Sequence, residues 1–237
     1  MARKAKAKAE ETGERRGYHH GDLRHAMIEA AEAVLAESGI AGLTLRECAR
    51  RAGVSPAAPA HHFGNLAGLL TAVATLGFDD LATAMEEAAG TAAETGEGRL
   101  AAIGRAYLAT ALARPGRFRV VFGRRELNKS DPELQRAAGQ AFAILVREVR
   151  MHRSGKPWPL QDKNALDLAA MPDLAEILLA WSVPHGFALL LIDGQLDFLA
   201  GEGGRDRLVA LYSGRIVALL AQAMPQPRGL AKSLADD

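Results

Sequence analysis

Four histidines stand in adjacent pairs, His19-His20 and His61-His62, and five of the seven histidines precede residue 65. Imidazoles so placed suit contact with phosphates and base edges, metal ligation, or a plain solvated role. Adjacent residues on a helix point about 100° apart, a poor chelate compared with an i, i+4 pair. Metal binding is therefore the weakest of the three, and no metal site is expected. Near His61 and His62 lie Thr44, Arg46, Ser55, Ala57, Ala58 and Ala60. Small residues let a helix backbone approach a groove closely, and an alanine methyl can touch a thymine methyl. Arg46, near the amino end of a helix, is the cation expected to reach a phosphate backbone. For Arg50 and Arg51 a solvated helix face is the simpler reading.

These residues need two short helices to position them. Thr44 with Glu47 three residues on reads as a capping box. Leu45, Cys48, Ala49 and Ala52 follow with i, i+3, i+4, i+7 spacing. Gly53 supplies the turn and Val54 a core plug. Ser55 then reads as the cap of a second helix, with Pro56 in its first position. Phe63 faces the core and Gly64-Asn65 ends the helix. This is a helix-turn-helix, whose second helix reads DNA in that motif. Cys48 lies on the apolar face and reads as a buried thiol, not a redox sensor.

The run from Gly17 to Phe78 resembles the DNA-binding domain of TetR-type transcriptional regulators. It has a preceding amphipathic helix, the helix-turn-helix, a His-Phe at 62–63 and a following helix. Two positions depart from the commonest pattern of that family. Ala60 stands where Tyr is frequent and Leu66 where Lys is frequent, and both usual residues reach the DNA backbone. The resemblance implies DNA contacts from Thr44, Arg46, Ser55, Ala57, Ala58, Ala60, His61 and His62, and from Tyr18 and His19 ahead of the first helix. Farther along, Trp181-Ser-Val-Pro-His185-Gly186 resembles the Trp-x-x-x-His-Gly motif of one TetR branch. That implies a ligand-sensing and dimerising domain in the carboxy-terminal part.

The whole chain fits this frame. Its 237 residues are 49% hydrophobic but only 5% aromatic, a composition that favours helices packed on small residues. Net charge is +1, so any positive field for DNA must be local. A single cysteine excludes an internal disulfide and suits a reducing cytoplasm. No run reaches about 18 uninterrupted apolar residues, so no membrane span is expected.

Residues 1–16 read as a disordered basic tail. Residues 17–65 read as the DNA-binding domain, with a first helix over Asp22–Ser38 whose stripe is Leu23, Ala26, Met27, Ala30, Ala33, Val34 and Leu35. Residues 66–224 read as a helical ligand-binding and dimerisation domain. Residues 66–89 form its connecting helix, with a break at Gly90–Gly98. Helices are then expected over 99–113, 117–122, 132–152, 174–191 and 205–224, with a loop at 153–163 and a disordered tail over 225–237. The fold class is all-α.

Tyr107, Phe122, Phe142, Met171, Trp181 and His185 are the candidates for lining an apolar cavity between helices. Trp181 and His185 are spaced i, i+4 and share a helix face. Ordinary core packing is the alternative for each residue. Leu208, Leu211, Tyr212, Arg215, Ile216, Leu219 and Leu220 repeat at helical spacing. Together with 174–191 they are expected to build a four-helix bundle between two copies.

No catalytic motif is present: no G-x-S-x-G, Gly-rich phosphate loop, H-E-x-x-H or paired-cysteine spacing. The expectation is a non-enzymatic homodimer without cofactor, binding a double-stranded DNA operator and responding to a small-molecule effector. Repression released by that effector is what the resemblance implies. The rival is a small-molecule-binding or scaffolding helical protein with weakened DNA binding, motivated by Ala60 and Leu66.

Overall fold

The computed structural model describes residues 20–95, 98–123, 127–155, 173–201 and 204–224. Among them there are helices and no strand. An amino-terminal head comprises α1 (His20–Ser38), a 3-10 turn over Ile40–Gly42, α2 (Leu45–Arg51) and α3 (Ala58–Phe63). The body comprises α4 (Leu66–Thr95), α5 (Arg99–Ala113), α6 (Pro115–Phe122), α7 (Pro132–Ser154), α8 (Leu174–Ile192), the single turn α9 (Asp197–Ala200) and α10 (Gly204–Ala223). The tails expected over 1–16 and 225–237, and most of the loop at 153–163, lie outside the described residues.

The head packs around Met27, Val34, Cys48, Ala49, Leu69 and Val73, each at most 1% exposed. Burying one such side chain stabilises by about 1.5–3 kcal/mol for the larger ones. The apolar stripe of α1 is wider than its spacing suggested. Ile28 and Ala31 are buried, whereas Ala33 is exposed and Ala26 half-buried. The cause is that α1 is gripped by α2, α4 and α6 together, so its inward arc is broad.

α6 belongs to both halves of the molecule. Its Val120 is fully buried in the head's core, and its Phe118 in the body's core. It approaches α1 so closely that a Cβ on Gly116 would lie 2.7 Å from the Leu35 Cβ. Only glycine fits there without displacing a helix. α6 begins at Pro115, two residues before the expected start, because proline is already set for a first helical position.

α4 does not stop at Ala89. It runs through Gly90 to Thr95. A mid-helix glycine costs about 1 kcal/mol relative to alanine. Burial of Ala89 and Ala92 offsets that cost, and Arg99 Nη1 also donates to the Ala89 carbonyl at 2.8 Å. α7 opens where expected, with Asp131 Oδ1 accepting from the Glu133 and Leu134 N–H groups, both at 3.0 Å. Pro184 sits buried inside α8, which continues through it. α9 was not anticipated from the sequence.

By length and composition, Leu66–Ala92 and Leu174–Ile192 are apolar enough to cross a membrane. Neither is an uninterrupted apolar run, because Asp79 and Asp80 interrupt the first and Glu176 the second. Half of the α4 stretch is buried within the protein itself, as a central core helix requires.

Candidate functional sites

The head's outer surface is built from caps and ion pairs. Thr44 is extended, and its Oγ1 accepts from the Glu47 N–H at 3.1 Å, which starts α2. The return arm of the expected capping box is not made. The Glu47 carboxylate instead accepts from Arg50 Nη2 at 2.7 Å and Arg51 Nε at 2.8 Å. Hydrogen bonds from those two arginines hold the Glu47 carboxyl down to about 2. Arg51 also reaches Glu37 of α1 at 2.7 Å. Arg50 and Arg51 are thus committed to carboxylates, whereas Arg46 is exposed and makes no ion pair among the described residues.

The second helix starts later than expected. It spans Ala58–Phe63, and Ser55 is not its side-chain cap. A helix capped by Ser55 would have the residue-59 N–H donate to the Ser55 carbonyl. Residue 59 is Pro59, which has no N–H. The Ser55 carbonyl accepts from Ala58 N–H instead, at 3.1 Å, which makes a turn through Pro56 and Ala57.

Ala57, Ala60, His61 and His62 are exposed, while Ala58 is half-buried against the head's core and Pro59 is buried. Gly64, at φ +69°, ends the helix. Asn65 Oδ1 then accepts from the Gly68 N–H at 3.0 Å and opens α4. Leu66 is half-buried and packs on the head's core, so this side chain is used as a hydrophobe. Cys48 is fully buried, and burial pushes its thiol up to about 11. Tyr18 and His19 lie outside the described residues.

Between its helices the body has a partly open cavity of about 250 Å³. Tyr107, Phe122, Phe142 and Trp181 line it together. His185 stands one layer behind, bonded to the Tyr107 hydroxyl through Nδ1 at 2.6 Å. Trp181 Nε1 donates to the same hydroxyl at 3.3 Å. Burial pushes the Tyr107 phenol well above its ordinary range and lowers His185 below its own. Met171 lies outside the described residues.

Sequence reasoning missed the wall that α4 supplies, Phe78, Leu81 and Met85. Their i, i+3, i+7 spacing was a usable signal. It also missed Phe118, whose ring is 5.4 Å from the His185 ring. Among the described residues no three His, Cys, Asp or Glu side chains converge to hold a metal.

Two family models match the chain. Residues 27–73 match bacterial regulatory proteins of the tetR family, and residues 100–211 match the tetracyclin repressor-like C-terminal domain. The chain belongs to the TetR family. As a TetR-family member it is a DNA-binding transcriptional regulator, and α2 and α3 are its helix-turn-helix.

Solved structures agree in fold with this TetR-family chain. A protein of unknown function from Rhodococcus sp. RHA1 is 31% identical to it, with a TM-score of 0.60 over 87% of this chain and 100% of its own. A possible TetR family transcriptional regulator from Streptomyces coelicolor A3(2) is 22% identical, with a TM-score of 0.52 over 84% of this chain and 97% of its own. No curated protein is significantly similar in sequence.

Proposed function

We propose that the protein is a cytoplasmic homodimeric repressor, bound to a palindromic operator and released when a small molecule occupies the cavity. The observation that carries this reading is the position of α6. Phe122 on α6 lines the cavity. Arg114 and Arg117, on and just before the same helix, hold Glu32 of α1. A ligand that prefers one setting of α6 therefore biases one setting of the head, by its differential affinity and no more.

The dimer has its own support. Among the described residues, the large hydrophobics left most exposed all belong to α8, α9 and α10. Leu208 and Leu220 turn into the chain's own core, while Leu211, Tyr212 and Leu219 of α10 and Leu178, Leu179 and Leu190 of α8 face outward. Large hydrophobics exposed together on α8, α9 and α10 suit an association surface, and two half-sites on DNA call for two heads. The DNA face comprises Thr44, Arg46, Ser55, Ala57, Ala60, His61 and His62. Ala58 supports it from the core side.

Fluorescence anisotropy of labelled DNA from upstream of the protein's own gene tests the reading. Specific binding that saturates at two chains per site supports it. Absence of specific binding favours the second reading, a small-molecule-binding or scaffolding protein. Exposed Ala60 and inward-packed Leu66, two positions that offer no phosphate contact, motivate that alternative.

A further inference from the structure

The chemistry of the cavity wall narrows what can enter it. Among the described residues no side chain with a formal charge lines it; Leu81, Met85, Ile103, Leu145 and Leu220 are typical of its surface. A charged ligand would lose its hydration and gain no partner, a cost far larger than the apolar contacts return. In size, an apolar cavity of about 150 Å³ takes benzene. The roughly 250 Å³ here has room for a second ring.

Among the described residues the polar side-chain atoms of that wall are the Tyr107 hydroxyl and the Trp181 indole N–H, and their hydrogen-bond directions follow from donor chemistry. Trp181 can only donate. Tyr107 therefore accepts from it, and the bond at 3.3 Å is long for N–H···O. The 2.6 Å contact to His185 Nδ1 is the short one. If His185 donated there, the tyrosine proton would point unpaired into an apolar space, which buried hydroxyls avoid. Tyr107 thus gives its proton to His185, and its oxygen offers the cavity lone-pair density alone. A hydroxyl inserted between the two groups would accept from Trp181 and donate to Tyr107, replacing one stretched bond by two good ones. A carbonyl or ether oxygen can do only the first.

Resting on the effector site proposed above, we infer that the cavity takes an uncharged, mainly hydrocarbon ligand of about two fused rings bearing one hydroxyl, which bridges Trp181 Nε1 and Tyr107 Oη. Anionic analogues of the same shape are rejected.

Isothermal titration calorimetry of the full-length protein at pH 7 with 2-naphthol, naphthalene and 2-naphthoate tests this. One net hydrogen bond, two made for one stretched bond lost, predicts 2-naphthol binding about two- to tenfold tighter than naphthalene, with no detectable heat from 2-naphthoate. Tyr107→Phe should bring 2-naphthol close to naphthalene and leave naphthalene unchanged. If that variant fails to fold, Trp181→Phe should narrow the same gap. Comparable affinity for 2-naphthoate and 2-naphthol overturns the inference. So does an unchanged naphthol preference in either variant, or no binding of either neutral probe up to its solubility. Anisotropy on upstream DNA, run on the same preparation, separates the two readings. DNA binding without the naphthol preference removes the inference alone. The preference without DNA binding removes the repressor alone.

Discussion

Arg117 of α6, almost completely buried, is ion-paired with Glu32 of α1 and also with Asp80 of α4. One guanidinium thus joins the head, the connecting helix and a wall of the cavity. Arginine suits this because its fork offers five donors in a fixed plane.

Arg117→Met should therefore weaken both folding and coupling. Removing one partner of a buried pair costs about 3–5 kcal/mol. The value here should fall toward the lower end, because Asp80 is itself exposed. Urea denaturation measures the loss. Glu32→Gln should keep more stability, and a double-mutant cycle between the two positions should show coupling. Additive effects would show that Arg117 and Glu32 do not act as a pair.

Arg46→Ala should lower the slope of log affinity against log salt by about 0.9 per chain, the signature of one phosphate contact. Arg50→Ala should change it less, because Glu47 already holds that guanidinium. Salt titrations of the two variants check this. Equal changes in slope would refute the distinction drawn from their ion pairs.

His61→Ala should weaken specific binding by about 1–3 kcal/mol, the scale of one good base contact. The measurement is a titration against operator and random DNA at one salt concentration. Equal loss on both would make His61 a phosphate contact. No loss on either would leave it a solvated side chain.

Leu211→Glu with Leu219→Glu should convert the proposed dimer to monomer in sedimentation velocity and lower operator affinity with it. Both residues are more than half exposed in the single chain, so folding of the monomer should survive. A dimer that persists would place the interface elsewhere.

Acid should destabilise the protein through His185. Burial among aromatic rings holds its folded-state value below the usual 6.5, so the unfolded chain binds the extra proton first. Stability is full above that value and falls as pH drops from it toward the depressed one. His185→Gln should flatten this part of the stability–pH curve, read by thermal melts at constant ionic strength. An unchanged curve would show that His185 is not the group responsible.

Local chemistry made much of this legible in the sequence. Thr44, Gly64, Pro132 and the i, i+4 pair Trp181–His185 act within one or two helical turns, and each is found where its type and spacing put it. The errors arise where two local signals compete or where distance intervenes. Pro59 cancels the hydrogen bond that Ser55-Pro56 seemed to prepare. Glu47 finds arginines closer than its own cap. The meeting of Glu32, Asp80 and Arg117 spans 85 positions, and no spacing rule announces it. Burial of Ala89 and Ala92 carries α4 across a glycine that, read alone, looked like a break.

Pro56 just before the DNA-facing helix and Pro59 in its first turn have an evolutionary consequence. Pro56 and Pro59 fix their own φ angles and supply no N–H, and Gly64 closes the far end six residues after Ala58. The helix cannot grow by a turn or slide in register to meet a different groove. Its outward face offers Ala60, His61 and His62, so on the proposed reading this helix changes its target by side-chain exchange at those few exposed positions. Drift of the operator and drift of the protein are thereby confined to a small, enumerable set of paired substitutions.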